Sequence, residues 1–401
     1  MRLSTQPGRD GASGDLIVDH ALDIVASLGL AELTLRPLAQ RAGVSVAVIS
    51  SRIGSKGDLV ERVVAEGHAR DRAFFARWHA FAAGLGALDA AARAALANMV
   101  FCDWLDGGRR QAFLLIEMVH RQALLTRPDA ALDRWLADAG AFWAEMLFGA
   151  DGPAALALGY VLDEAGFALA AEAVPAYALL RQLCLQRFVG GVSPGHGAAP
   201  SSAIAGLIEA LRPAGAPAAI SADEKRQRIA ACAARIIVSE GPAAVTHRSV
   251  ADAAGVPAST IVYHFGARAA LVIAGLHSVI RQYHAVRAAP VQDSGTRHDE
   301  AARGLDLVKA TSLVALAGAR EPQLLPDALD MRRRRGENIT AADAAGFGLA
   351  VDAGFDRAAA QTMSIALFGM RMVALARGDT QDPLRAQPFA ALAGRRARAG
   401  G

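Results

Sequence analysis

Apolar residues recur at helical spacing near the start of the chain: Ile17, Ala21, Ile24, Val25 and Leu28 share one face of a helix, and the pattern stops at Gly29. Much later Ile229, Ala233, Ile236 and Ile237 repeat the arrangement and stop at Gly241. Glycine at such ends accepts the left-handed backbone that closes a helix. Thr34 and Thr246 then predict N-caps for a second short helix, "LRPLAQRA" or "HRSVADAA". Pro37 falls in its first turn, where a missing N–H does little harm. Gly43-Val44 and Gly255-Val256 predict a tight turn into a third short helix, capped by Ser45 in the first stretch and begun at Pro257 in the second. Helix, glycine turn and helix of this size have the spacing of a helix-turn-helix, though one stretch alone reads equally as a generic helical hairpin.

The two stretches align without a gap at an offset of 212 residues. Thr34 falls on Thr246, Arg36 on Arg248, Ala42-Gly43-Val44 on Ala254-Gly255-Val256, Ile49 on Ile261 and Leu59 on Leu271. Glycine, threonine and arginine matches in one register are hard to obtain from composition, so the pattern predicts an internal duplication. Between and after the copies, residues 70–190 and 281–385 read as longer helices with alanine, leucine and aromatic stripes. The segment 191–222 is rich in Gly, Pro, Ala and Ser around "SSAIAGLIEALR" and reads as a linker holding one short helix. At 401 residues the chain suits two to four domains. The expected division is 1–69, 70–190, the linker 191–222, 223–280 and 281–390.

The segment "KRQRIAACAARIIVSEGPAAVTHRSVADAAGVPASTIVYHFGARAALV", residues 225–272, resembles the DNA-binding part of the tetracycline-repressor (TetR) family of transcriptional regulators. Residues 15–60 follow it in frame, with weaker agreement at the end of the third helix. The resemblance implies an all-α fold of two tandem TetR-like units. Each would be an N-terminal three-helix helix-turn-helix domain followed by a helical ligand-binding and dimerisation domain. The family's usual arrangement is one such unit per chain, paired as a homodimer. Two units in one chain imply a covalent pseudo-dimer.

On that resemblance, Thr260, Tyr263, His264 and Arg268 lie on or just after the recognition helix with their polar ends at DNA phosphates, the contacts that fix register. Phe265 plugs the core of the small domain. Arg248 and Arg36, at the first turn of the preceding helix, would reach phosphate or a base edge. The first copy has Ser50-Ser51-Arg52-Ile53 where the second has Val262-Tyr263-His264-Phe265, so serine hydroxyls and Arg52 replace the aromatic positioners. It keeps Lys56, and Ser55 with Asp58 predicts a capping box at the next helix. The expected base readers, Val46, Ala47 and Ser50 beside the Ser45 cap and Ala258, Ser259 and Val262 in the second copy, are small and differ between copies. They offer methyl and hydroxyl contacts without a bidentate Arg–guanine pair. An imperfect palindrome follows, with half-site centres roughly 34–36 Å apart if both units face adjacent grooves.

Charge separates the copies further. Residues 1–70 hold eight basic and eight acidic residues, whereas residues 221–290 hold eight and four. Phosphate neutralisation dominates non-specific binding, so the second copy is expected to supply most of the affinity. Phenylalanine and tryptophan concentrate in the first helical body, where Trp104, Phe113, Glu117 and Trp143 are candidates to line a pocket for a small apolar or aromatic effector. Core packing explains the same stripes equally well. The run Arg332–Arg335 is expected to be a solvated helix face or loop.

Composition narrows the class. The formal balance of +3 permits an anionic partner without requiring one. Cys102, Cys184 and Cys232 lie too far apart in sequence for a zinc spacing or a disulfide framework and point to a reducing cytoplasm. No apolar core follows a basic start at the N-terminus, and the longest apolar stretches are interrupted by Asp163, Glu164 or Arg371, so neither a signal peptide nor a membrane span is expected. No HExxH, GxSxG or phosphate-loop pattern is present, so no enzyme, cofactor or metal is expected. The expected activity is that of a cytoplasmic, ligand-responsive repressor acting on a double-stranded operator as a monomeric pseudo-dimer, with higher assembly left open. Two alternatives stay open: only the second copy reads DNA and two chains pair, or the chain is a helical interaction module without DNA binding.

Overall fold

The computed structural model describes residues 9–125, 128–192, 201–214, 223–288, 306–349, 355–379 and 387–392. Among the described residues there are helices and turns and no strand. Much of the linker and most of the C-terminal tail lie outside them.

The chain begins with α1 (Arg9–Leu28), a single 3-10 turn (Leu30–Glu32), α2 (Leu35–Ala42), α3 (Val46–Ile53) and the long α4 (Lys56–Ala83). Local chemistry sets these ends. Gly43 takes the left-handed conformation and returns its N–H to Ala39 and Gln40, while the Ser45 hydroxyl accepts the Val48 N–H. Ser55 and Asp58 form the expected capping box, and these hydrogen bonds hold the Asp58 carboxyl below its ordinary pKa. Gly54 precedes it at φ 95°, where a Cβ would also collide with the Asp58 carboxylate. Thr34 occupies the N-cap of α2 without a side-chain bond.

A helical body follows: α5 (Ala90–Gly107), α6 (Arg109–Leu125), α7 (Ala130–Phe148), α8 (Ala154–Ala171), α9 (Pro175–Val189) and α10 (Ser201–Ala210), the last being the short helix expected within the linker. Then α11 (Glu224–Glu240), a 3-10 turn (Pro242–Ala244), α12 (His247–Ala254), α13 (Ala258–Phe265) and α14 (Arg268–Ala288) repeat the first elements. The turn, the second and third helices and the start of the fourth all recur 212 residues on. Thr246 caps α12 in a full capping box with Ser249. The chain continues through α15 (Leu307–Gly318), α16 (Leu325–Arg333), α17 (Ala341–Gly346) and α18 (Arg357–Ala376). Both α4 and α14 run unbroken from the small helical domains into the bodies, across the expected boundaries at 69 and 280.

The two halves share one continuous core, centred where α8 crosses α18. A Cβ added at Gly369 would lie 1.8 Å from the carbonyl oxygen of Gly159, so the two helix backbones touch. Small residues allow this approach, and dispersion contacts accumulate along it. Both helices are long and apolar enough to cross a membrane, with mean hydropathies of 1.4 and 1.3, contrary to the sequence expectation. Their apolar surfaces are spent inside the protein, where 83% of each is buried.

The expectation of a solvated Arg332–Arg335 run is overturned. Arg332 donates from Nη2 to Glu164 at 2.9 Å, and Arg335 reaches Asp163 at 2.7 Å, with all four side chains at most 1% exposed. The Tyr177 hydroxyl and the Gln361 amide oxygen complete the Arg332–Glu164 cluster. A third cross-half pair joins Arg187 to Asp356 at 2.6 Å. Carboxylates carried inward on α8 need cations within reach, and the end of α16 supplies them.

Candidate nucleic-acid interface

The third helix of each small domain buries one face and bares the other. In α13, Ile261 and Phe265 point into the core, while Ala258, Ser259, Val262 and Tyr263 are exposed. Tyr263 is 86% exposed, an extreme value for so large an aromatic side chain in a folded domain. Thr260 is half-buried, and Arg248 is exposed at the start of α12. In α3, Ile49 is buried, and Ser45, Val46, Ala47, Ser50, Ser51 and Arg52 are exposed, as is Arg36 on α2. The Ser51 hydroxyl donates back to the Val48 carbonyl at 3.0 Å.

Two residues expected at phosphates are engaged inside the protein. The His264 imidazole lies 3.1 Å from the Asp223 carboxylate. Arg226 donates to the His264 carbonyl at 3.0 Å and stacks over Phe265. Arg268 donates through Nε to the Val245 carbonyl at 2.8 Å and through Nη2 to those of Pro242 and Ala243. Its remaining arm reaches Glu32 of the first small domain at 3.0 Å, so one side chain bridges the two domains. Lys56, its counterpart, donates to the Ala31 carbonyl at 3.3 Å. The opening residue of the fourth helix thus ties down the 3-10 turn of its own domain in both copies. Asp223, Arg226 and Glu32 were not singled out from sequence; only Asp223, at the head of "DEKR", carries a local signal, as an N-cap. His247 was missed as well, and its Nε2 meets the Gly266 carbonyl at 2.8 Å, fastening the start of α12 to the end of α13.

The four candidate pocket residues fall into two places. Trp104 and Trp143 are neighbours, with ring centroids 5.8 Å apart. Trp143 borders a cavity of about 10 Å³ with Phe101, Tyr160, Glu164 and Arg181, room for about one water. Trp104 and Trp135 donate their indole N–H groups to the two oxygens of buried Asp71. Burial pushes the Asp71 carboxyl up to about 7 against those two hydrogen bonds. Phe113 and Glu117, one turn apart on α6, instead meet Arg320, which follows α15 in the second half. Arg320 donates to the Val25 and Ala26 carbonyls at the end of α1, and Glu117 accepts the Leu30 N–H at 2.6 Å. The end of α1 is therefore held by side chains of both halves. Nearby His120 is lowered to about 4 by burial and by the Arg320 charge.

Residues 229–274 match the sequence model of a family described as bacterial regulatory proteins, tetR family. The match spans most of α11, all of α12 and α13, and the first turns of α14. It supports a TetR-type helix-turn-helix domain over those residues, a domain type that suggests transcription regulation through DNA. Regulators of this family are generally non-enzymatic. No curated protein matches the chain.

Proposed function

We propose that the chain is a ligand-responsive transcription regulator that binds one operator as a single-chain pseudo-dimer, with both helix-turn-helix units in use. The observation that carries this reading is the recurrence of the whole small domain at an offset of 212, with both copies presenting the solvent face of the third helix. Ser45, Val46, Ala47 and Ser50 read one half-site and Ala258, Ser259 and Val262 the other. Arg36, Ser51, Arg52 and Lys56, and Arg248, Thr260 and Tyr263, provide positioning contacts, to which His264 and Arg268 add only where DNA takes the place of Asp223 and Glu32. An effector acts by population shift, favouring a spacing of the units that does not fit the operator. The junction of Glu117 and Arg320 with the end of α1 is the natural lever for that shift.

Selection of bound sequences from a random duplex pool, using the full-length chain, tests the reading. An enriched imperfect palindrome with two unlike half-sites, occupied by one chain, is expected. A perfect palindrome occupied by two chains would support the second reading, in which only the second unit reads DNA. That reading draws on the family match to residues 229–274 and on the zero charge balance of residues 1–70. No enrichment over a basic control protein would leave the chain as a helical interaction module.

A further inference from the structure

On the flank of the second helix-turn-helix a cleft of about 450 Å³ opens between α11, the end of α12 and α14. Ile229, Cys232 and Val256 form an apolar floor, and Lys225, Arg228 and Arg235 stand around it. Arg235 donates to the Cys232 sulfur at 3.2 Å, and the thiol in turn faces the Ala253 carbonyl at 3.6 Å. Among the described residues none of the three cations is paired with a carboxylate.

The first unit is built differently at the equivalent positions. Ala231, Arg235, Ala253 and Gln282 correspond to Asp19, Asp23, Arg41 and Arg70. There Asp19 holds Arg70 at 2.7 Å and Arg110 at 3.4 Å, while Asp23 holds Arg41 at 3.7 Å and Arg110 at 3.3 Å. A salt-bridged seam in one copy is thus an open cationic cleft in the other. The elements that line the cleft are joined to both ends of α13. The first turn of α11 is tied to the end of α13 through Asp223–His264 and the Arg226 bond to the His264 carbonyl. At the other end, Val256 stands directly before Pro257, the N-cap of α13.

We propose that this cleft grips DNA backbone phosphates, with Lys225, Arg228 and Arg235 holding the strand that flanks the groove entered by α13. The proposal rests on the DNA-binding reading above. Guanidinium groups suit phosphate oxygens, and an apolar floor beneath them takes the sugar edge without leaving a buried polar group unpaired. Such contacts carry no sequence information, so they add affinity and salt dependence to the second unit without changing which bases it prefers.

The test is titration of the full-length chain with a duplex of arbitrary sequence over a salt series. The variant Lys225→Gln/Arg228→Gln/Arg235→Gln is compared with Arg72→Gln/Arg121→Gln/Arg134→Gln, which removes equal charge from the first helical body. Each lost phosphate contact lowers the slope of log affinity against log salt by about 0.9, so the cleft variant should lose up to about 2.7. Between about 50 and about 200 mM salt its affinity would then fall up to about 40-fold less than that of the unaltered chain. The control should keep most of its slope, and base preference in the pool selection should be the same for all three proteins. An unchanged slope in the cleft variant, or an equal loss in the control, overturns the proposal while leaving DNA binding in place. Loss of slope with a changed base preference would make the cleft part of the reading surface and also overturn it. An unaltered chain that binds no DNA at all would sink the underlying reading, and the proposal with it.

Discussion

The two small domains follow one backbone plan and are attached to the rest of the molecule in different ways. In the first, α1 is fastened along its length: Asp19 and Asp23 to Arg70, Arg41 and Arg110, and its last carbonyls to Arg320. In the second, α11 packs on α14 through Gly275, where a Cβ would meet Ile237 at 2.7 Å, and leaves Lys225, Arg228 and Arg235 turned outward. Close apolar packing holds α11 on α14 without these three cations, whereas α1 is held through its charges. Two units of one backbone plan can thus be held in different ways, and on the reading proposed above the first serves as an anchored reference and the second as the main grip on DNA.

That contrast depends first on the halves staying joined. Arg332→Ala leaves Glu164 buried without its cation, and removal of one member of such a pair costs about 3–5 kcal/mol. Denaturant unfolding should show this loss, whereas Glu164→Gln with Arg332→Met should cost much less, because no charge is then stranded. If the single variant is as stable as the unaltered chain, the cross-half cluster does not hold the copies together.

The next effect concerns how firmly the first body is pinned. Asp71 joins α4 to α5 and α7 through two indoles, and its counterpart in the second unit is Tyr283, a buried ring. With its pKa raised to about 7 in the folded chain, Asp71 binds its proton more tightly folded than unfolded. Its contribution therefore makes stability fall as pH rises from about 4 to about 7, by roughly 1 kcal/mol per unit. His120, lowered to about 4, acts in the opposite sense, with stability lost as pH falls from about 6.5 to about 4. The difference in unfolding free energy between the unaltered chain and Asp71→Asn isolates the first trend. A flat difference across that window would show that Asp71 titrates normally.

A direct comparison of the reading faces should give a smaller effect. Arg248→Ala with Tyr263→Ala is expected to weaken duplex binding by about 10–100-fold for all sequences, as lost charged and polar phosphate contacts do. Arg36→Ala with Ser51→Ala, at the equivalent positions, should cost only a few-fold. Equal losses in an anisotropy titration would erase the distinction between anchor and grip.

Local features of both small domains were legible in the sequence because caps, turn glycines and helix periodicity are short-range. Ser45, Ser55 with Asp58, Gly43 and Gly255 all sit where their chemistry places them. Residues whose partners lie far away were not legible. Arg332 meets Glu164 across 168 positions, and Arg268 meets Glu32 across 236, so neither charge could be distinguished from a solvated one. Among the candidate pocket residues, Phe113 and Glu117 share a face of α6 that only the arrival of Arg320 explains. Hydropathy likewise could not tell a buried crossing of α8 and α18 from a membrane span, since both require the same apolar surface.

The smallest effect tests the bridge between the copies. Glu32→Gln removes the carboxylate that holds one arm of Arg268 but leaves its bonds to the Val245, Pro242 and Ala243 carbonyls. If the released arm turns to a phosphate, duplex affinity rises a few-fold and the salt slope steepens by about 0.9. The pool selection should then also tolerate a wider range of half-site spacings, since nothing else among the described ion pairs joins the two small domains directly. An unchanged slope with relaxed spacing would instead assign Arg268 to the fold of the second unit and to the ruler between the units, and remove it from the DNA face.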